Sequence, residues 1–331
     1  MQTRVRHSRI AHHRVAKMEP TVTIGLPVFN GERYLAEAIE SILAQSYADF
    51  ELIISDNASN DGTSEICMRY AAVDRRVRIL RHDVNVGGAA NFNGVFGAAR
   101  GRYFKWAAHD DVLHRDNLAR TLATLEAAPD AVAVHSRVEL IGAAGERLGD
   151  DPFPLRCVDS PRPSERFADL VLTPHWNLWT YALMRANVLA QTDLLAPYTS
   201  SDRVLLAHLA LLGRFIELPD VLLFFRDQPE RASKKIPDRL RRRRWLSAVG
   251  PLPVAEWYDP SNAGRIGFPQ WTLWRRYFEV VRRVDLPATE RAACQLALLR
   301  WLLRNRNAIK LVRDVLLAAE RRLQRTAETA P

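Results

Sequence analysis

The sequence predicts an α/β protein with a mostly parallel sheet covered by helices, followed by a basic, helical C-terminal region. Short β-branched and apolar runs alternate with helix-period segments over residues 21–118, the pattern of βαβ units with right-handed crossovers. Each strand end is followed by a polar or glycine-rich cluster: Asn30, Asp56, Asn85 and Asp110-Asp111. Ligands of such sheets lie beyond the carboxyl ends of the strands, so four separate loops are expected to meet at one edge. Charge is divided along the chain as well. Residues 21–150 carry 13 basic and 18 acidic side chains, residues 151–331 carry 29 and 19, and the whole chain is +9.

Residues 1–20 hold five basic side chains and one acidic, show no hydrophobic period and end at Pro20; residues 1–19 are expected to be a disordered basic arm. Residues 21–26 read as the first strand, closed by Pro27. Asn30 is then expected to cap a helix carrying Leu35, Ala38, Ile39, Ile42 and Leu43 at helical spacing. Residues 50–55 form an apolar second strand, followed by the turn-rich 56–62 and a short helix through Ile66 and Tyr70. Strands three and four are expected over 77–80 and 103–107, separated by a helix over 89–99 that follows Gly87-Gly88. Beyond them come strands over 131–140, 179–184 and 218–225, a proline-rich connector over 152–163, and helices over 202–212, 239–245, 271–284 and 290–325.

With 331 residues, 47% hydrophobic and 26% charged, the chain is long enough for a sizeable core and excludes collagen-like and wholly disordered classes. Cys67, Cys157 and Cys294 are too scattered for a disulfide framework or a zinc site, so a reducing, cytoplasmic setting is expected. The most apolar runs, residues 204–212 and 296–303, are interrupted by His208 and Arg300 and fall short of the roughly 20 residues of a membrane span. Residues 1–20 lack the apolar stretch of a secretory signal.

Asp110 and Asp111, adjacent carboxylates at a strand end, repel one another unless a cation or donors sit beside them. Oxygen ligands of this kind suit magnesium or manganese, with substrate phosphates supplying other ligands; taken alone the pair is a weak signal, because Asp111 also reads as the start of the helix through Leu118. The loop after the second strand offers Asp56, Asn57, Ser59 and Asp61. Asp56 suits ribose hydroxyls or a base N–H, or builds an Asx turn. Asn85 with Gly87 and Gly88 reads as tight backbone beside a ligand or as a plain turn.

The segment from Pro20 to about Leu118 resembles glycosyltransferase family 2. The likeness is carried by PVFNGERYLAEAIESILAQSYADFELIISDNASNDGT and then NVGGAANFNGVFGAARGRYFKWAAHDD, and continues more weakly through SSDRVLLAHLALLG and LPDVLLFFR to Arg226. It implies the GT-A fold, a mostly parallel Rossmann-like sheet flanked by helices, as a catalytic domain over residues 20–230, with 231–331 as a helical C-terminal region. It also implies inverting transfer of a sugar from a nucleotide diphosphate sugar to a hydroxyl acceptor, in cell-surface polysaccharide or glycoconjugate synthesis. Pro27, Asn30 and Glu32 would lie in the first nucleotide-contacting loop, Asp56 with Asn57 at the base or ribose, and Asn85 with Gly87 at the closing edge of the donor site.

His109-Asp110-Asp111 stands where the family carries its DXD element, with Ala108 in place of the first acid; the resemblance gives Asp110, with Asp111 beside it, to a divalent metal, Mn2+ or Mg2+, and to the donor. Asp202 stands at the family's general base, usually one of an acidic pair and here preceded by Ser200 and Ser201; from the residues alone it reads as a helix N-cap. Arg226 matches the arginine of an Arg-x-His segment, on the acceptor side, with Gln228 in place of the histidine.

The partners implied are the nucleotide-sugar donor and a saccharide or lipid-linked saccharide acceptor. Trp176 and Trp179, ahead of Asp202, form either an acceptor platform or part of the core. The basic back of the chain fits an anionic partner or solvated arginine-rich helices. The segment with Trp271, Trp274, Arg275, Arg276, Phe278, Arg282 and Arg283 either lies on an anionic membrane surface, making the protein peripheral on the cytoplasmic face, or caps the catalytic domain. No nucleic acid is expected: Lys234, Lys235, Arg239 and the run 241–244 near Trp245 suit phosphates, but the acidic sheet edge repels them. The alternative is a GT-A-like protein that binds or transfers a nucleotide, in which Asp202 has no role as a base.

Overall fold

The computed structural model of the chain describes residues 19–227, 255–265, 267–304 and 306–328. The basic arm, the helix expected over 239–245 with its basic cluster, and Gln228 lie outside the described residues.

Val22–Val28 (β1) and Phe50–Asp56 (β2) bury every one of their residues, as strands of a parallel sheet covered on both faces must. Pro27 falls inside β1 and does not close it. With Val77–Arg81 (β3) and Tyr103–Trp106 (β4), they make a parallel quartet joined by helices α1 (Leu35–Leu43), α2 (Thr63–Val73) and α3 (Gly88–Gly97). After a short strand Val112–Leu113 (β5) and helix Asn117–Ala127 (α4), the long strand Ala131–Ile141 (β6) makes a hairpin with Arg147–Asp150 (β7). Helix Pro163–Leu172 (α5), a 3-10 turn at Leu178–Tyr181, strand Leu183–Arg185 (β8), helices Ala186–Leu189 (α6) and Ser201–Leu212 (α7), and strand Arg214–Arg226 (β9) complete the domain.

The sheet runs β3-β2-β1-β4-β8-β6-β9-β5, with β7 on β6. β8 is antiparallel to both β4 and β6, and β6 is parallel to β9. β6 and β9 therefore point the same way as β1–β4, and their carboxyl ends share one edge. Side chains alternate between two cores. Val22, Ile24, Leu26 and Val28 meet α1 and α4 on one face; Ile53, Phe104 and Trp106 meet α3 and α7 on the other.

A third core joins α5 and α7 to the C-terminal helices Pro269–Arg283 (α9) and Ala288–Leu303 (α10), through Phe167, Val204 and Leu211 against Tyr277, Val281 and Leu298; the short helix Ala255–Tyr258 is α8, and Asn307–Glu328 is α11. Trp274, half-buried in this core, donates from Nε1 to Leu298 O (3.4 Å), and Trp271 donates to Leu311 O (3.2 Å). Trp274 thus packs on protein, whereas Trp271 stays 42% exposed. No described helix is long and apolar enough to cross a membrane.

Several boundaries differ from expectation. Asn30 does not cap α1, which starts at Leu35 without a side-chain cap; Asn30 instead takes a left-handed φ of 52°, which asparagine tolerates, and turns its side chain to the next loop. Asp111 caps nothing either, because β5 follows it and α4 begins only at Asn117. The helix expected over 290–325 is divided into α10, which ends at Leu303, and α11, which starts at Asn307 just after Arg306 with φ 55°.

Candidate active site at the carboxyl edge

The loops after β1, β2 and β3 are laced together by their own polar side chains. Asn30 Oδ1 accepts from Asn60 N–H (3.0 Å) and Glu32 Oε2 from Gly62 N–H (2.6 Å), while Ser59 Oγ and Thr63 Oγ1 accept from the Asn30 and Gly31 amides (2.9 Å each). Asp56 is buried. Its Oδ1 accepts from Ser59 N–H at 2.9 Å, the local turn, and its Oδ2 lies 3.3 Å from Arg81 Nη1. Asn57 ties this loop to the next, donating to Asn85 Oδ1 (3.0 Å) and accepting from Val86 N–H (2.9 Å). Asn85 Oδ1 in turn accepts from Gly87 N–H. Most of these interloop bonds satisfy a backbone N–H that would otherwise need another partner, so the edge is preformed.

Asp110 and Asp111 follow β4 and are both 5% exposed. Arg226, at the end of β9 and 1% exposed, fastens them: its N–H donates to Asp111 Oδ1 (3.0 Å) and its Nε to Asp110 O (2.9 Å). The rest of the guanidinium donates to Gly142 O (3.1 Å), pairs with Glu37 of α1 at 2.7 Å, and stacks 4.5 Å from the Tyr34 ring. A planar fork is suited to several partners at once. Below this loop a cavity of about 10 Å3, the volume one water needs, is lined by Asp111, Tyr181 and Lys105. Complete burial pushes Lys105 down to about 7, opposed by Asp111, and its Nζ donates to Tyr181 O.

Asp202 lies in the first turn of α7, and Ser200 is the N-cap. Asp202 Oδ2 accepts from Asn177 Nδ2 at 2.6 Å, and Oδ1 from the adjacent Arg203 N–H at 3.0 Å. Asn177, left-handed at φ 59°, is held by His175: its N–H donates to His175 Nδ1 (3.2 Å), and His175 Nε2–H donates to Leu170 O (3.0 Å). Both ring nitrogens are occupied in the neutral form, and burial next to Arg203 lowers His175 to about 3. The carboxylate thus has a rigid mount with one amide donor in place of an acidic neighbour.

Between Asp202 and the third loop lies α8. Gly87 has φ +88°, and a Cβ there would meet Tyr258 O at 2.6 Å; one on Gly88 would meet the Trp257 ring at 2.8 Å. Only glycine allows this approach. Tyr258 reaches the Ser200 backbone, and burial together with the Asp202 charge raises its phenol well above the usual range. A single segment therefore contacts the loop after β3 and the start of α7.

The family model described as glycosyl transferase family 2 matches residues 23–189, just over half of the chain. The chain belongs to this family. GlyG of Streptococcus pneumoniae serotype 4, named a glycosyltransferase, is 36% identical over 106 residues, 32% of this chain and 35% of GlyG. TuaG of Bacillus subtilis, provisionally named for teichuronic acid biosynthesis, is 33% identical over 104 residues, 31% of this chain and 41% of TuaG. The match thus spans less than half of either relative. Residues 1–349 of S. aureus TarS, solved with UDP-GlcNAc, superpose with a TM-score of 0.54 at 16% identity, covering 93% of this chain and 92% of that one, which extends the likeness of fold over the C-terminal helices.

Within this family member, the edge brings Asn30, Glu32, Asp56, Asn57, Asn85 and Gly87 into one hydrogen-bonded set, with Pro27 buried in β1 beneath them. Two residues expected on the acceptor side lie elsewhere. Trp179 is 6% exposed and stacks on Phe215 (5.2 Å, 29°), and Arg226 is buried beneath the Asp110-Asp111 loop. Trp176, 39% exposed and packed on Phe153 and Phe225, keeps a face for solvent. His175, Asn177 and Tyr258 were not singled out as site residues. The only sequence signal for Asn177 is its place in the loop with His175 and Trp176; Tyr258 has none.

Proposed function

We propose that the chain is an inverting glycosyltransferase that moves a sugar from a nucleotide diphosphate sugar to a hydroxyl acceptor. The observation that carries this reading is a pair of independently mounted acidic groups at one sheet edge: Asp110-Asp111, clamped by Arg226, and Asp202, clamped by Asn177. The first three loops would receive the nucleoside, with Asp56 Oδ2 and the Asn57–Asn85 pair at its rim. A uridine diphosphate sugar is the first donor to test, since TarS residues 1–349 were solved with UDP and with UDP-GlcNAc. By likeness to TuaG, a cell-surface polysaccharide is the acceptor class to test first.

A divalent ion fits the donor set. Carboxylate oxygens are the hard ligands that Mg2+ and Mn2+ take, and one or two suffice where a substrate diphosphate and water complete the shell. Among the described residues no three His, Cys, Asp or Glu side chains form a cluster able to hold a metal alone, which agrees with an ion completed by substrate. Asp110 and Asp111 would hold it, and it would neutralise charge growing on the departing diphosphate. Asp202 takes the proton from the acceptor hydroxyl as that oxygen attacks the anomeric carbon. Asn177 keeps the carboxylate aimed. One displacement inverts the centre. Trp176 offers an apolar face to a sugar ring.

Release of nucleoside diphosphate from a panel of sugar nucleotides, with and without Mn2+ or Mg2+, tests the reading. Turnover that needs a divalent ion and is lost in Asp110→Ala is expected; no release from any donor, or full release from Asp110→Ala, overturns it.

A further inference from the structure

The tip of the C-terminal helices carries large aliphatic side chains facing water. On α10 these are Leu296, Leu299 and Leu303, at i, i+3 and i+7, with Leu303 89% exposed. On α11 they are Ile309, Val312 and Leu316 at the same spacing, with Val315 beside them. The two stripes flank the turn at residues 304–306. A seam at this period is what a helix normally turns towards a partner.

The charge around the seam selects the partner. Residues 288–328 carry nine basic and four acidic side chains. Arg300 and Arg304 are exposed. The acids of the described stretch 288–320 are turned away: Glu290 is bound to Arg162 and the Ser164 amide, Asp314 is 1% exposed beneath Gln270, and Glu320 is only partly exposed. A second copy presenting the same face would set Arg300 and Arg304 against their own counterparts, with no fully exposed acid among residues 288–320 to answer them. An anionic bilayer accepts both features, aliphatic groups into the acyl boundary and arginines at the headgroups. Phe268 and Trp271, each 42% exposed where α9 meets α11, supply aromatics of the kind that favour the interface.

We infer that the α10–α11 tip docks the protein on an anionic lipid surface, laying Leu299, Leu303, Ile309 and Val312 into it. This goes beyond the transferase reading and does not rest on it. The test is flotation of the intact protein with vesicles of phosphatidylcholine alone or with 30% phosphatidylglycerol, at low and high salt, together with light scattering. Binding to the acidic vesicles that weakens at high salt is expected, with at least a tenfold lower partition coefficient for L299S/V312S and for R300E/R304E. These positions are exposed, so both variants should keep the wild-type melting curve and nucleoside diphosphate release in solution. No flotation, equal flotation of variants and wild type, or a wild-type dimer that the same substitutions dissociate would overturn the docking surface. Loss of nucleotide release in the wild type would instead count against the transferase reading alone.

Discussion

The loops after β1, β2 and β3 and the Asp110-Asp111 loop stand on the same sheet edge but are held in opposite ways. The first three loops bond one another across 28 to 32 residues, within neighbouring βα units, through several modest hydrogen bonds. The Asp110-Asp111 loop is fastened by Arg226, whose backbone N–H and guanidinium hydrogen-bond groups between 83 and 189 positions away. Lacing is redundant, so it tolerates loss of a strand; a hub is not. Loops held the first way stay in shape, while the acidic loop is coupled to the end of the domain and Asp202 to the loop before it.

The largest effect should fall on the acid that no hub shares. Asp202→Asn keeps the shape and the Asn177 contact but cannot take a proton, so kcat should fall by about 10²- to 10⁴-fold with nucleotide affinity within twofold. Nucleotide binding by calorimetry beside steady-state rates checks this; equal loss of both would mean that Asp202 serves folding.

Hub and lacing are compared directly by Arg226→Ala and Asn30→Ala. The first strands the Asp110 and Gly142 carbonyls and the Glu37 contact, and should cost about 3 kcal/mol of stability. The second removes one bond of several and should cost about 1 kcal/mol. Arg226→Lys should recover little, because a point charge does not reproduce the fork. Urea unfolding of the three variants decides, and similar losses for Arg226→Ala and Asn30→Ala would abolish the distinction.

The mount of Asp202 should also be sensitive to acid. His175 is held near 3 when folded, below its ordinary 6.5, so between those values the unfolded chain binds a proton that the folded chain refuses. Stability from this group is intact above pH 6.5 and is lost as pH falls, approaching about 1.4 kcal/mol per pH unit. His135, held at about 4 by burial beside Lys105, adds to the slope. His175→Gln, which keeps a donor but does not titrate, should lose less on going from pH 6.5 to 5 in thermal melts; an unchanged slope would clear His175.

The N-terminal half of the sheet was legible because its signals are local. Apolar runs and turn clusters of residues 21–111 gave β1 to β4, and Asp56, Asn57 and Asn85 stand together in the folded edge as the strand order requires. Asn30 was misplaced as a helix cap because capping chemistry and loop lacing use the same side chain. The other half was not legible. The stacking of Trp179 on Phe215, the burial of Arg226 and the approach of Tyr258 to Gly87 join segments whose spacing carries no period, and a turn such as 304–306 interrupts a helical pattern that continues on both sides.

The last contrast lies within α3 itself, where two glycines look alike in sequence. Gly87, its N-cap, needs a positive φ and has the backbone of Tyr258 and Asp259 within 3.0 Å of where a Cβ would lie; Gly87→Ala should cost about 1–3 kcal/mol and release α8, exposing Trp257 to quenchers. Gly94, in the helix interior, has nothing within 4 Å of that point. Gly94→Ala should therefore stabilise by about 0.5–1 kcal/mol, through the backbone freedom that glycine gives the unfolded chain. If both substitutions moved the melting temperature in the same direction, the contact between α8 and the third loop would not be what fixes glycine at position 87.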